Sequence, residues 1–134
     1  MPESYSVATE PEGMAAALVE RFNSGNVSAM MPLYEPEAVL IRNDGRPVTG
    51  HTGIAAELER DLSLGLPLEA KARHVFVADN IAEIILDWSI DGTGSDGQHV
   101  HHGGSASDVV RRGADGIWRY LIDNNQGTAV RQPA

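Results

Sequence analysis

Apolar residues recur at helical spacing in three stretches of the first half of the chain. The first stretch, residues 9–26, carries a single apolar stripe and ends at Gly25, a residue type common at helix C-termini. The second, residues 26–36, is shorter and stops at Pro36. The third, residues 51–65, again places its apolar positions on one face. This spacing predicts three N-terminal helices.

After the third predicted helix the pattern changes to the alternation of β-strands. Short turns rich in Gly, Asp and Asn separate the segments, which indicates an antiparallel meander. Two short strands, residues 38–42 and a partner after the turn sequence NDGRPVTG, are predicted before the third helix. The four long segments are residues 68–78, 81–91, 99–112 and 117–125. Helices followed by a sheet predict an α+β fold.

The length of 134 residues predicts a single domain over residues 10–128. Residues 1–9 are polar and unpatterned, so we expect a flexible N-terminal arm, and residues 129–134 form a C-terminal tail. The arm lacks a basic segment followed by an apolar run, and no window is apolar for about 18 residues. We therefore expect no signal peptide, no membrane span and a cytoplasmic location.

Charge and cysteine content exclude several classes of function. The chain has 19 acidic against 10 basic residues, a net charge of −9, which repels phosphate backbones. Nucleic acid is therefore not an expected partner. Because the chain has no cysteine, disulfides, thiolate zinc sites and thiol nucleophiles are all excluded.

Three stretches, in this order and spacing, resemble one protein family. FNSGNVSAMMPLYEPEAVLI resembles its helix–Gly–helix segment with an aromatic residue and an acidic pair before a strand. GRPVTGHTGIAAEL resembles its turn into the third helix, and DVVRRGADGIWRYLIDNNQGT resembles its closing hairpin. The chain is thus similar, over residues 10–128, to the SnoaL-like group of the nuclear-transport-factor-2-like (NTF2-like) superfamily. Ketosteroid isomerases and polyketide cyclases share that scaffold.

The resemblance implies a cone-shaped fold, in which a strongly curved antiparallel sheet wraps around three N-terminal helices. Its concave face would hold a small organic ligand, and its outer face would form a homodimer. The three active groups of the steroid isomerases would fall near Leu18, Arg42 and Val109, so this chain lacks them at those positions. The fold alone does not select an activity.

Alternation assigns the side chains of two long strands to faces. In residues 81–91 the wholly apolar set, which includes Trp88, is expected to face the pocket, where Trp88 would stack on a flat ligand. In residues 68–78 the same rule turns His74 inward among apolar side chains, where its imidazole would serve as a general base or proton donor. The structural alternatives are a hydrogen-bonded core histidine and a core tryptophan.

Two aspartates complete the candidate chemistry. The isomerase pattern implies that Asp123 and Asn125 point inward, and a carboxyl in an apolar cavity can shuttle protons. The alternatives for Asp123 are a pair with an arginine and a cap at the end of the sheet. Asp108 is a further ligand-binding candidate, but a bulge at Gly103 and Gly104 would shift the face on which it lies.

Arg42 ends the first predicted strand and would lie at the rim of the pocket. The forked donors of a guanidinium suit a ligand with a carboxylate or an enolate. The alternative is a surface ion pair with Asp44 or Glu37.

The sequence QHVHHGG raises the question of a metal site. His99 and His101 share a face at a legitimate ligand spacing, whereas His102 points away. No third ligand follows at a suitable distance along the chain. We therefore predict a polar hairpin and no metal, with metal-dependent oxygenase chemistry as a minor alternative.

Two functions remain open from the sequence. The first is a dimeric enzyme that isomerises, cyclises or dehydrates a small apolar compound by acid–base chemistry without a cofactor. His74 and Asp123 would then move protons, while Arg42 and Asn125 would orient the substrate. The second is a non-catalytic ligand-binding or assembly module of the same fold.

Overall fold

The computed structural model describes residues 5–129, which form three helices and one six-stranded sheet. The helices are α1 (Met14–Asn23), α2 (Val27–Met30) and α3 (His51–Leu62), with 3-10 turns over Pro11–Gly13 and Met31–Leu33. The strands are β1 (Tyr34–Ile41), β2 (Pro47–Thr49), β3 (Leu68–Ala78), β4 (Ile81–Thr93), β5 (His99–Arg112) and β6 (Trp118–Asn124). The predicted α+β fold is confirmed. Within residues 5–129, no helix is long and apolar enough to cross a membrane.

The strand order is β2-β1-β6-β5-β4-β3. Strands β3 to β6 form the predicted antiparallel meander. Strand β1 pairs antiparallel with β2 but parallel with β6, so the sheet is mixed. Because β1 and β6 run in the same direction, their carboxyl ends are adjacent and bring Arg42 close to Asn125.

The helices cover one face of the sheet, and the hydrophobic core lies between these two layers. The apolar set predicted for β4 does face this core. Its fully buried members are Ala82, Ile84, Leu86 and Ile90, and Trp88 is half-buried. The side of the sheet away from the helices is called the outer face below.

Arg21 of α1 is a charged residue inside the core, with 6% of its surface exposed. Its Nη1 donates a hydrogen bond to the carbonyl of Ala29 (2.7 Å), and its Nη2 donates to the carbonyl of Ser6 (3.0 Å). The guanidinium also lies over the ring of Tyr5, 5.3 Å from its centroid. Arg21 thus joins α1 to α2 and to the segment that precedes the helices.

The predicted N-terminal arm is partly held against the domain. Ala8 is buried, and its carbonyl accepts a hydrogen bond from the backbone N–H of Trp118 (2.8 Å). Residues 5–9 are therefore anchored at several points. The rest of the arm, residues 1–4, and most of the tail, residues 130–134, lie outside the described residues.

Strand β3 contains one extra residue, Arg73, which reverses the alternation predicted for it. Ala72 pairs with Leu86 and His74 pairs with Ile85, so Arg73 has no opposite residue on β4. Beyond this bulge the side chain of His74 lies on the outer face and is exposed. The prediction that His74 faces the pocket is therefore wrong, because strict alternation holds only where no residue is inserted.

The outer face combines polar networks with exposed apolar side chains. Arg73 donates two hydrogen bonds to the carboxylate of Asp87 (3.0 and 3.1 Å) and a third to Ser105 (2.9 Å). Phe76, stacked on His74 at 5.6 Å between ring centroids, is 57% exposed, and Ile122 is 37% exposed.

Candidate functional site

Two cavities adjoin each other on the helix-covered side of the sheet. The inner cavity has a volume of about 50 Å³ and the outer cavity a volume of about 250 Å³. Leu58, Asp61 and Asn125 line both of them. Besides Asp61 and Asn125, the polar side chains that line the inner cavity are those of Tyr34, Trp88, Asp108 and Asp123. Its remaining lining residues are apolar and include Phe22.

A tyrosine–aspartate hydrogen bond lies at the inner cavity. The hydroxyl of Tyr34, at the start of β1, donates to Oδ2 of Asp123 on β6 at 2.6 Å. Asp123 is 6% exposed, so the inward position predicted for it is the one the structure shows. The ring of Tyr34 packs on that of Tyr120 at 5.2 Å. The carboxylate is thus held in place by a buried phenol.

Asp108 on β5 joins the same network. The ladder between β4 and β5 runs without a break past Gly103 and Gly104, so Asp108 faces inward and is only 2% exposed. Its Oδ1 accepts a hydrogen bond from the backbone N–H of Asn124 (2.9 Å), and its carboxyl group is hydrogen-bonded to that of Asp123. The question about its face, left open by the sequence, is thereby answered.

Burial determines the protonation of this network. Burial raises the pKa of Asp108 well above its usual range, and the negative charge of Asp123 raises it further. Burial also raises the pKa of Asp123, while the hydrogen bonds that it accepts from Tyr34 and Asp108 oppose that rise. Asp108 is therefore the protonated partner and donates to Asp123. Burial raises the pKa of Tyr34 as well, so it stays a neutral donor.

Asp61 lies in the last turn of α3, at the boundary of the two cavities, and is half-buried. Burial raises its pKa above the ordinary value; His102 opposes this rise and Glu57 adds to it. A helix C-terminus also disfavours negative charge. The carboxylate is thus more basic than a solvated aspartate.

Arg42 lines the outer cavity and is already paired. Its Nε lies 3.4 Å from Glu57, and its Nη2 lies 4.0 Å from Asp44, one of the two partners considered from the sequence. Asn125 lies between the cavities, and its backbone carbonyl accepts a hydrogen bond from Nε1 of Trp88 (2.8 Å). The charged residues that line the outer cavity are thus two arginines, Arg42 and Arg60, and three carboxylates, Asp44, Glu57 and Asp61.

The structure brings four of the six candidate residues to one cavity: Trp88, Asp108, Asp123 and Asn125. Arg42 lies at the adjoining outer cavity, and His74 lies at neither. The sequence reasoning missed Tyr34 and Asp61. A signal existed for Asp61, because it follows the buried Ile54 and Leu58 of α3 at the spacing of one helix face.

The histidine-rich stretch lies apart from the two cavities. His99 and His101 share a face, and both contact Oδ1 of Asp91, at 3.0 and 3.4 Å. All three side chains are largely exposed. Among residues 5–129, no group of three or more histidine and carboxylate side chains is arranged to hold a metal ion. His102 lies on the opposite face, within electrostatic reach of Asp61.

An Asp108→Asn variant is expected to be more stable than the wild type at neutral pH but not at pH 4. The amide keeps an acceptor for the Asn124 N–H and is neutral without taking up a proton, whereas wild-type Asp108 must be protonated to fold at neutral pH. In the wild type the folded state holds this proton at higher pH than the unfolded state does, so the free energy of unfolding falls as pH rises above about 3.9. We expect the Tm at pH 7 to rise by a few degrees, which corresponds to about 1 kcal/mol of unfolding free energy in a domain of this size.

Thermal unfolding at pH 4 and at pH 7 measures this difference. Asp96→Asn, in an exposed turn, is the control and should change the Tm little at either pH. A stabilisation by Asp108→Asn that is equal at both pH values would show that Asp108 carries no raised pKa.

Comparison with known proteins identifies the family and the fold. The sequence model of the SnoaL-like domain matches residues 15–121. No curated protein matches the chain. Among solved structures it is similar to an NTF2-like superfamily protein from Salmonella enterica serovar Typhimurium, at 19% identity and a TM-score of 0.72, over 92% of this chain and 94% of that one.

Two further structures show the breadth of the fold. A ketosteroid isomerase-like protein from Erwinia carotovora atroseptica is 17% identical, with a TM-score of 0.67 over 84% of this chain and 88% of that one. A candidate calcium/calmodulin-dependent protein kinase II association domain from Xanthomonas campestris is 14% identical, with a TM-score of 0.73 over 96% of each chain. These identities show the fold alone. Because the domain match spans most of the chain, the chain belongs to the SnoaL-like domain family, and its fold is that of the solved NTF2-like protein.

Proposed function

We propose that the protein is an enzyme that performs acid–base chemistry, without a cofactor, on a small and largely apolar compound that carries a carbonyl or hydroxyl oxygen. Isomerisation, cyclisation and dehydration belong to this class. The observation that carries the proposal is the buried hydrogen-bonded set of Tyr34, Asp108 and Asp123 at an otherwise mostly apolar cavity. Buried titratable groups with perturbed pKa values in a cavity are typical of catalytic sites.

The network can hold one proton and offer it to a ligand. Asp108 and Asp123 share that proton, and both side chains line the inner cavity. When it passes to a substrate oxygen, two carboxylates remain, and the Tyr34 hydroxyl stabilises the charge on Asp123 by its hydrogen bond. The pair is then ready to take the proton back. This is general acid–base catalysis by a carboxyl pair.

The residues around the network would orient the substrate. Trp88 supplies a half-buried aromatic face beside the carboxyl pair, and Asn125 lines both cavities. Arg42, which forms an ion pair with Glu57, would contact a polar end of the ligand in the outer cavity. A compound with one apolar end and one polar end fits this order of groups.

The test of the proposed function is a proton-exchange assay. Cyclopentanone and 2-cyclohexenone are incubated with the protein in D₂O, and loss of the protons next to the carbonyl is followed by ¹H NMR. Exchange faster than in acetate buffer with the same concentration of carboxylate supports the proposal. Exchange of neither ketone above that baseline would contradict it.

A second candidate function is assembly without catalysis. The inner cavity of about 50 Å³ is small beside typical ligand pockets of about 300–1,000 Å³, and the outer face exposes Phe76 and Ile122. Under this proposal the cavity is part of the core, and the outer faces of two copies form a homodimer. The fold of the Xanthomonas association domain is compatible with such a role.

A Phe76→Asp variant tests the dimer. A charge at the centre of an apolar contact is costly to desolvate, so we expect sedimentation velocity to show a dimer for the wild type and a monomer for this variant. Val77→Asp is the matched control, since Val77 is 55% exposed on the same strand but points to the opposite face. Equal sedimentation of the two variants would contradict a dimer through the outer face.

A further inference from the structure

We propose that Asp61 is the catalytic base of this site, which removes a proton from the carbon next to the substrate's carbonyl group. The carboxyl pair Asp108–Asp123 then acts at the carbonyl oxygen. The inference rests on the proposed function and adds the second proton-transfer group that such chemistry needs.

Removal of a proton from carbon needs two groups with different tasks. One carboxylate must be ionised and free to accept a proton, and an acid must stabilise the charge that develops on oxygen. The carboxyl pair already holds a shared proton and accepts hydrogen bonds from Tyr34 and Asn124. The side chain of His74 lies on the outer face, so it supplies no second group.

Asp61 has the position and the freedom that a base requires. It lines the inner cavity together with Asp108 and Asp123, and it lines the outer cavity as well. Within residues 5–129 its carboxylate makes no hydrogen bond and no ion pair, so its lone pairs are not engaged by the protein. Contact with the outer cavity gives it a route to exchange protons with solvent.

The charged neighbours of Asp61 do not pair with its carboxylate. The two arginines of the outer cavity, Arg42 and Arg60, are both engaged by Glu57, at 3.4 and 3.9 Å. His102 on β5 attracts the carboxylate, while Asp123 on β6 repels it. The groups that face Asp61 are therefore Glu57 and Arg60 on its own helix, Arg42 after β1, His102 on β5 and Asp108 and Asp123 in the inner cavity.

The proposed step conserves atoms and electrons. The C–H bond next to the carbonyl breaks, its proton passes to an oxygen of Asp61, and its electron pair forms the C=C bond of an enol. The carbonyl oxygen receives the proton shared by Asp108 and Asp123. In D₂O the protonated Asp61 exchanges its hydrogen with solvent through the outer cavity and returns deuterium to the carbon, while the enol returns its proton to the carboxyl pair.

The experiment compares Asp61→Asn, Asp61→Glu and Glu59→Gln with the wild type in the ketone exchange assay. Removal of a general base lowers rates by about 10²–10⁴-fold, so we expect a loss of at least about 100-fold in Asp61→Asn. Asp61→Glu keeps a carboxylate and should retain part of the rate. Glu59→Gln, an exposed change on the same helix, should exchange at the wild-type rate.

Two additional readouts separate a base from a residue that only shapes the cavity. The affinity for cyclopentanone, measured by saturation-transfer NMR, should change by less than about threefold in Asp61→Asn while the maximal rate falls. The wild-type rate should fall on acidification as Asp61 is protonated, and this acid limb should be missing from the residual rate of Asp61→Asn.

Each other result contradicts the inference. Exchange by Asp61→Asn at the wild-type rate, while Asp123→Asn is inactive, would overturn the role of Asp61 and leave the proposed function standing. A loss of ketone affinity that accounts for the whole loss of rate would make Asp61 a binding residue and not a base. Absence of exchange in the wild type would overturn both proposals.

Discussion

An Asp123→Asn variant is expected to exchange the protons next to the carbonyl of cyclopentanone about 10²–10⁴-fold more slowly than the wild type. Asparagine has nearly the same shape and still accepts the hydrogen bond from Tyr34, but it cannot share a proton with Asp108. The substrate oxygen then loses the shared proton that this carboxyl pair offers. ¹H NMR in D₂O at saturating ketone measures the change in maximal rate.

The control for this prediction is His74→Ala. His74 stacks on Phe76 on the outer face, away from both cavities, so its removal should leave the exchange rate unchanged. Equal Tm values for wild type and Asp123→Asn would show that lost activity is not lost folding. Exchange by Asp123→Asn within a few-fold of the wild-type rate would remove Asp123 from the chemistry.

An Arg21→Ala variant is expected to lose about 2–4 kcal/mol of unfolding free energy. The change leaves the buried carbonyl of Ala29 without its donor and removes the cation that holds Ser6 and Tyr5. It also leaves a void where the aliphatic part of the side chain packed. Urea unfolding followed by tryptophan fluorescence gives the value.

Two substitutions bracket this effect. Arg21→Lys keeps the stem and one charged donor group and should lose less than Arg21→Ala, because a single ammonium replaces a fork that reaches two carbonyls. Arg73→Ala removes an exposed arginine with its own ion pair to Asp87 and should cost less than about 1 kcal/mol. A loss by Arg21→Ala no larger than that by Arg73→Ala would show that the buried guanidinium contributes little.

Periodicity predicted the bounds of the long strands well, because β-type segments bounded by turn residues mark a strand even where one residue is inserted. The predicted segments 68–78 and 99–112 have the same bounds as β3 and β5. The inward set of β4 was also predicted, since its ladders to β3 and β5 give every one of its residues a partner. The parallel pairing of β1 with β6 could not be read from the chain, because alternation within a strand carries no information about its neighbours.

The errors at the site have a common physical origin in inserted residues. Arg73 reverses the faces of β3, so strict alternation predicted the wrong face for His74. Near the start of β6, Tyr120 and Asp123 both face inward although they are three residues apart, because the register with β5 shifts between them. Inward-facing Asp123 was predicted and Tyr120 was not. Bulges of this kind depend on the partner strand and leave no simple trace in the alternation.

The inserted Arg73 also bears on how the protein avoids self-association through its backbone. Strand β3 is the last strand of the sheet and is 11 residues long, so a regular β3 would present a long row of unpaired backbone groups to another molecule. The bulge twists this edge in its middle, and Lys71 and Arg73 place positive charges beside it. The bulge at Arg73, which reverses the face of His74, thus also disfavours edge-to-edge pairing of β3 with another molecule.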